Sequence, residues 1–188
     1  MKHKGTKIIE TKRLILRPFT ITDVEAMYDN WASDPEVTKH LTWLAHASLD
    51  VTKQILESWV AQYENLGYYQ WAITLKEEGD APIGSIGSVG KIEPLESIAI
   101  GYCIGKKWWR KGITSEALTA LIKFFFEEVK VNHLAANHLL GNPNSGEVLL
   151  KCGFKYEGIK HEATRTNRGD IADSVEYGML IEDYKEIL

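Results

Sequence analysis

The chain has 188 residues, 44% of them hydrophobic and 26% charged, with a formal net charge of −4. That is ordinary for one globular domain, 1–188, large enough to fold around its own core. An acidic chain lacks the extended basic face that duplex nucleic acid needs, and no apolar run approaches the ~20 residues of a membrane span, so we expect a cytoplasmic monomer or homodimer that binds neither nucleic acid nor membrane.

Residues 8–18 hold Arg13-Leu14-Ile15-Leu16-Arg17, with Leu14 and Leu16 on one face, a strand pattern closed by Pro18. A helix follows, because Thr22 and Glu25 have capping-box spacing and Val24, Met27, Tyr28 and Trp31 recur at helical intervals. Ser33-Asp34-Pro35 ends it, and residues 36–47 read as irregular. Ser48 suits the cap of a second helix reaching about Leu66, with Val51, Ile55, Trp59 and Leu66 as its apolar face and Gly67 at its stop.

Residues 68–75, 82–89 and 97–104 read as an antiparallel meander, turned at Glu77-Glu78-Gly79-Asp80 and near Glu93-Pro94. In the third strand Ile98, Ile100, Tyr102 and Ile104 share a face. That strand breaks into a basic turn and re-forms as a helix from Ser115 to about Lys130, with Leu118, Leu121, Ile122, Phe125 and Phe126 as its core stripe. The first turn of a helix carries N–H groups without intrahelical partners and a partial positive charge, so this junction is an anion cradle. Lys106, Lys107, Arg110 and Lys111 crowd ahead of it. The spacing of Gly105 and Gly112 fits neither a Walker phosphate loop nor a dinucleotide fingerprint.

Residues 133–140 read as a strand, and Gly141-Asn142-Pro143-Asn144-Ser145 turns into a short helix bearing Val148, Leu149 and Leu150, stopped by Gly153. Two last strands, about 155–162 and 174–180, flank the polar loop 164–170. Helices thus alternate irregularly with strands, which predicts an α+β (mixed α/β) class with a mostly antiparallel sheet. Cys103 and Cys152 lie in apolar runs and read as buried thiols. Trp31 and Trp59 read as core, whereas Trp43 and Trp71 are candidates to line an acceptor pocket. The histidines show no ligand spacing, and His133 and His138 read as structural.

Three stretches are informative together: Ile100-Gly101-Tyr102-Cys103-Ile104, then Trp109-Arg110-Lys111-Gly112-Ile113-Thr114-Ser115-Glu116-Ala117-Leu118, then Asn142-Pro143-Asn144-Ser145 followed by Leu150-Lys151-Cys152-Gly153-Phe154. In this order they resemble the GNAT superfamily of acetyl-CoA-dependent acetyltransferases, and Thr11-Lys12-Arg13-Leu14-Ile15-Leu16-Arg17-Pro18 resembles that family's first strand. The nearest subgroup is the ribosomal-protein N-terminal alanine/serine acetyltransferases.

The resemblance covers nearly the whole chain and implies a partly splayed mixed sheet flanked by helices, with acetyl-CoA as cosubstrate and no metal. It further implies that the turn Trp109, Arg110, Lys111, Gly112, Ile113, Thr114 and Ser115 meets the pyrophosphate. The pantetheine arm would run along the edge formed by Tyr102, Cys103 and Ile104, with Asn142 on the pantetheine and Ser145 near the thioester sulfur. Ser145 is then the candidate to donate a proton or a hydrogen bond to the departing thiolate, and it equally suits a helix N-cap.

Two positions depart from the family pattern. The helix tyrosine used by many members as general acid is replaced by Leu149, and the carboxylate often found before the Ile-Gly-Tyr segment is replaced by Ala99. Glu93, Glu96, Asp170, Asp173 and Glu176 are substitutes for the base by position only. The expected activity is N-acetyl transfer by direct attack of an amine in a ternary complex, the acceptor being a protein or peptide N-terminal amine. A small amine (amino acid, polyamine or antibiotic) is the alternative acceptor, and a non-catalytic acyl-CoA-binding module is the rival of a different class.

Overall fold

In the computed structural model, which describes residues 1–187, Leu14 and Leu16 of strand β2 (Leu14–Arg17) are fully buried, as their alternation with charged neighbours dictates. A two-residue strand, β1 (Ile9–Glu10), folds back on β2 as a hairpin. The following helix, α1 (Val24–Met27), continues into a π-helical segment, Tyr28–Ala32. Its cap differs from the expected Thr22/Glu25 pair. The Asp23 carboxylate accepts the Thr20 N–H at 2.8 Å, because that carboxylate is also gripped by both Nη atoms of Arg17 at 2.8 Å. Asp34 ends this run and, through its side chain, caps a short helix, α2 (Pro35–Thr38), within a segment expected to be irregular.

Helix α3 (Leu49–Val60) is shorter than expected and turns a different face inward. Val51, Ile55 and Leu66 are exposed, while Thr52 and Leu56 are fully buried. The row Thr52, Leu56, Trp59, Tyr63 has equally good helical spacing. It wins because its polar members find partners: Thr52 Oγ1 bonds His46 Nδ1 at 2.8 Å, and Tyr63 Oη takes the Phe19 N–H at 2.9 Å and donates to the Gln70 carbonyl at 2.8 Å.

The meander is as expected: β3 (Gln70–Leu75), β4 (Pro82–Ile92) and β5 (Ser97–Ile104) pair antiparallel. Helix α4 (Ile113–Phe124) leads into a second π-helical segment, Phe125–Val129, and β6 (His133–Leu139) follows. Then come α5 (Pro143–Lys151), β7 (Lys155–Arg165), β8 (Ile171–Leu180) and α6 (Ile181–Glu186). Both last strands run longer than their alternation suggests, because β7 is broken by two register shifts that hide its period. Those shifts also roughen an edge strand that would otherwise invite pairing. Helix α6 went unread, since a single turn and a half carries too short a stripe.

The eight strands form one sheet in the order β1-β2-β3-β4-β5-β6-β8-β7, with β5–β6 its parallel pair. One face carries α4 and α5 over Trp71, Ile73, Ile98, Ile100, Leu134 and Met179. The other carries the α1–α3 layer, with Phe19, Met27, Trp31 and Leu56 over Ala72. Strand β4 is buried on both faces from Pro82 to Gly87, so alternation there gives way to a continuous buried run.

Strand β5 pairs with β6 only at Ser97, Ile98 and Ala99, and residues 100–104 then separate from 136–139. On its other side β5 meets a bulge: Ser88 pairs with Ile100 and Gly90 with Ala99, leaving Val89 as the extra residue. The bulge adds local twist at the position where β5 leaves β6. Gly101 leaves room for it, since a Cβ there would lie 2.6 Å from Val89 Cγ1 unless that exposed side chain moved.

Trp71, a candidate for the pocket or the core, belongs to the core. It is fully buried, stacks on Tyr69 at 5.9 Å, meets Phe124 edge-on at 5.6 Å, and donates its indole N–H to the Lys7 carbonyl at 2.6 Å. Trp71→Ala should therefore destabilise the fold by about 3–5 kcal/mol in equilibrium urea unfolding. A loss below about 1 kcal/mol would contradict this placement.

Candidate active site

Two helices begin at the gap between β5 and β6. Helix α4 starts at Ile113, two residues earlier than expected, with Gly112 as its N-cap at φ 71°. That left-handed conformation favours glycine. The first backbone bond of the helix runs from Glu116 N–H to the Gly112 carbonyl at 3.1 Å, so the N–H groups of Ile113, Thr114 and Ser115 precede it and point out of the helix end. The Ile113 side chain is core, and only its backbone takes part.

The turn ahead of α4 is pinned at three points. Trp109 donates its indole N–H to the Ile104 carbonyl at 2.8 Å, fastening the turn to the end of β5. Arg13 donates from Nη1 to the Lys111 carbonyl at 3.0 Å. Glu116 closes the clasp: Oε1 accepts Thr11 Oγ1–H at 2.6 Å and Arg13 N–H at 2.8 Å, and Oε2 accepts Arg13 Nε–H at 2.6 Å. Partial burial works against the Glu116 charge, but these bonds prevail and hold its carboxyl below the usual range. Of the four cations expected at the turn, Lys107 is drawn away to Glu78 at 3.1 Å and lies over the Trp108 ring. Lys106, Arg110 and Lys111 remain exposed around the helix end.

Helix α5 starts on the opposite side of the gap. Its N-cap is Asn142 rather than Ser145, because Pro143 fits the first helical position and Ser145 falls in the first turn. Ser145 therefore has its hydroxyl free of capping, and it lies 2.9 Å from the Tyr102 hydroxyl. Tyr102 comes from β5, with Ile100 and Ile104, on the face that packs under α5. Burial, only partly offset by the Ser145 bond, pushes the Tyr102 phenol well above its ordinary pKa. Cys103, its neighbour, projects to the opposite face against the α1–α3 layer, and burial pushes its thiol up to about 12. The Cys152 thiol is likewise raised by burial.

Sequence reading thus brought Tyr102, Asn142, Ser145 and the 109–115 turn to one gap, with Cys103 on the same strand edge and its side chain on the other face. It missed the Arg13–Glu116–Thr11 clasp and the contact of Tyr102 with Ser145, residues 43 apart in the chain. Leu149 is fully buried.

Next to α5 lies an open groove of about 410 Å³, lined by Lys39, His40, Leu139, Leu140, Gly141 and, from the β7–β8 turn, Asn167, Arg168 and Asp170. A second groove of about 260 Å³ shares Lys39, Asn167 and Arg168 and continues to Pro35 and Leu44. Asn167 ties the two walls together, donating from Nδ2 to the Thr38 carbonyl at 2.8 Å and the Trp43 carbonyl at 3.2 Å. The Trp43 ring is half-buried against the α1–α3 layer. Burial and Lys39 lower the His40 pKa, favouring its neutral form.

Of the carboxylates considered as bases, Glu93 is held by His3 and Lys91, and Glu96 by the Met1 ammonium. Asp173 lines the larger groove but is bound by His161 and the Glu162 N–H, which keep it below the usual carboxylate range. Glu176 stands opposite Asn137 in the sheet, on the face away from Val175 and Tyr177. No three His, Cys, Asp or Glu side chains converge on a metal-sized site among the described residues.

Residues 13–155 match the acetyltransferase (GNAT) domain family. The uncharacterized N-acetyltransferase YoaA of Bacillus subtilis (strain 168) is 30% identical over 152 residues, covering 81% of this chain and 85% of that one. The ribosomal-protein-serine acetyltransferase of Escherichia coli (strain K12) is 31% identical over 156 residues, covering 78% and 84%. A GNAT-family acetyltransferase from Bacillus anthracis superposes with a TM-score of 0.80 at 25% identity, over 94% of this chain and 99% of that one. The chain belongs to the GNAT acetyltransferase family and is an acetyl-CoA-dependent N-acetyltransferase.

The Glu116 clasp makes stability depend on pH with a definite sign. A carboxyl lowered in the folded state stabilises at pH above its unfolded value, and that contribution is lost as pH falls through the folded pKa. The difference in melting temperature between wild type and Glu116→Gln should be constant from about pH 8 to 5.5 and close below about pH 4, near and under the ordinary glutamate value. A difference independent of pH down to about pH 3 would contradict the clasp.

Proposed function

We propose that this GNAT acetyltransferase acetylates the N-terminal amine of an extended peptide or protein chain, by direct attack on the acetyl thioester with both substrates bound. The observation that carries the acceptor is the pair of grooves: they start at Leu139–Gly141, immediately before Asn142, and run on past Arg168 to Leu44. A cleft of that extent, open along its length, suits a chain end better than a compact amine. The name of the Escherichia coli relative, a ribosomal-protein-serine acetyltransferase, agrees with that choice.

The residues at the β5–β6 gap fit the chemistry of acetyl-CoA. The N–H groups of Ile113, Thr114 and Ser115, with Gly112 allowing close approach and Lys106, Arg110 and Lys111 nearby, would hold the pyrophosphate. The unpaired edge at Tyr102, Cys103 and Ile104 offers backbone donors and acceptors to an amide-rich arm in the manner of an added strand. Trp109 serves by fastening the turn, its indole being spent on Ile104. Asn142, whose side chain makes no capping bond, would meet the pantetheine, and Ser145 would face the sulfur.

The amine nitrogen forms its bond to the acetyl carbon while the carbon–sulfur bond breaks, and Ser145 donates a hydrogen bond to the departing thiolate. Direct attack is favoured over an acetyl-cysteine step because both thiols are raised by burial and carry little thiolate at neutral pH. Asp170 and Asp173, the carboxylates that line the larger groove, would take the proton of the amine through water.

Thiol release measured with a panel of seryl- and alanyl-terminated peptides, free amino acids, polyamines and aminoglycosides tests the acceptor. Peptide-dependent turnover is expected; turnover with free small amines alone would overturn the peptide reading, and tight acetyl-CoA binding without turnover on any amine would favour a binding module. Ser145→Ala should lower kcat by about 10²-fold with little change in the KM for acetyl-CoA. Gly112→Asp should abolish CoA binding by calorimetry, since it puts a carboxylate at a left-handed glycine beside the cradle; equal affinity would refute the phosphate assignment.

A further inference from the structure

The Tyr102 hydroxyl makes two hydrogen bonds to one residue. It lies 2.9 Å from Ser145 Oγ and donates to the Ser145 carbonyl at 3.0 Å. A phenol has a single hydrogen but can also accept. With that hydrogen on the carbonyl, Ser145 Oγ must donate its own hydrogen to Tyr102. With the phenol hydrogen turned onto Oγ instead, the serine hydrogen is free to point elsewhere. The two arrangements differ only by rotation of two hydroxyl hydrogens.

We propose that Tyr102 is a positioning residue that sets which way the Ser145 hydroxyl points, holding it while the thioester is intact and supporting it from behind when charge develops on the sulfur. This rests on the reading that Ser145 faces that sulfur. As the thiolate forms, the serine hydrogen turns to the sulfur and the phenol hydrogen moves from the Ser145 carbonyl to Oγ, which the thiolate has polarised. No covalent bond changes at Tyr102 or Ser145, and each oxygen keeps its hydrogen. The proton that finally rests on sulfur balances the one released by the amine nitrogen and travels through solvent.

Three features of the fold support the assignment. Helix α5 itself holds no tyrosine, and the phenol that meets Ser145 comes from the sheet beneath. Gly146, the residue after Ser145, lets α5 lie flush on that sheet: a Cβ would stand 2.4 Å from Tyr177 Oη and 2.8 Å from His138 Nε2. The half-buried phenol, its pKa raised, also stays protonated at neutral pH, so its hydrogen is available.

The test measures the thiol of CoA bound to the enzyme, read from the ultraviolet absorbance of its thiolate as pH is varied, with desulfo-CoA as the blank. Wild type, Tyr102→Phe, Ser145→Ala and the double variant are compared, with CoA affinity and unfolding midpoint measured for each. In Tyr102→Phe the bound thiol pKa should rise by about 0.5–1, the size of one hydrogen bond. CoA affinity should stay within about twofold, and the double variant should shift no further than Ser145→Ala alone.

If Ser145→Ala leaves the thiol pKa unchanged, the reading of Ser145 falls and the role of Tyr102 falls with it. If Ser145→Ala raises it and Tyr102→Phe does not, the role of Tyr102 alone is overturned. Additive shifts in the double variant, or a lower unfolding midpoint in Tyr102→Phe with an unchanged thiol pKa, would also overturn it, the first by making Tyr102 independent of Ser145 and the second by making it a structural anchor.

Discussion

The architecture depends on a parallel strand pairing that stops early. Strands β5 and β6 share three residue pairs and then part, at the level where Val89 bulges out of β4. Inside a sheet, backbone N–H and C=O groups left without partners are costly unless something else pairs with them. The split therefore creates a demand for an extended, amide-bearing ligand, and it does so at the centre of the molecule rather than at an exposed rim. Two helices begin beside it, α4 with the N–H groups of Ile113, Thr114 and Ser115 ahead of its first backbone bond and α5 with Ser145 in its first turn.

What holds the split open also fixes the site. The turn before α4 carries mostly exposed cations, whose individual contributions are small and screened by salt. Its geometry is set instead by the partly buried clasp of Glu116 with Arg13 and Thr11 and by the Trp109 bond to Ile104. These tie the cradle to β2 and β5, so the donors of Ile113, Thr114 and Ser115 are rigidly placed before any ligand arrives. On the other side, Gly146 seats α5 and brings Ser145 against Tyr102. The groove proposed for the acceptor is built differently, from the β7–β8 turn and the segment after α2, joined through Asn167. A rigid half for the common cosubstrate and a loop-built half for the acceptor is how one fold serves many acceptors.

The part of this legible in the sequence was the part carried by short-range pattern. Gly112 before an apolar helix stripe, and Asn142-Pro143-Asn144-Ser145 before a second helix, located both sides of the gap. The meander and the α+β class followed from alternation. Contacts between distant residues were not legible: the Tyr102–Ser145 pair and the Arg13–Glu116 clasp each join separate elements, and nothing in either local sequence names its partner. Helix α3 shows a subtler limit, because its chain offers two apolar rows at helical spacing and polar partnering decided between them. Trp71 was left open between pocket and core for a related reason. An aromatic near the start of a strand suits a pocket wall or a core, and the choice was made by Phe124 of α4 and Phe125 of the π-helical segment that continues it.

If the β5–β6 split and the start of α4 receive acyl-CoA through backbone groups, bound CoA covers those groups. Amide hydrogen exchange with and without saturating CoA tests this most directly, because it reads those N–H groups themselves. Slowed exchange is expected within residues 100–104 and 113–115, with the rest of the sheet, already hydrogen-bonded, little changed. Tight CoA binding with unchanged exchange in both segments, and protection confined to other parts of the chain, would contradict it.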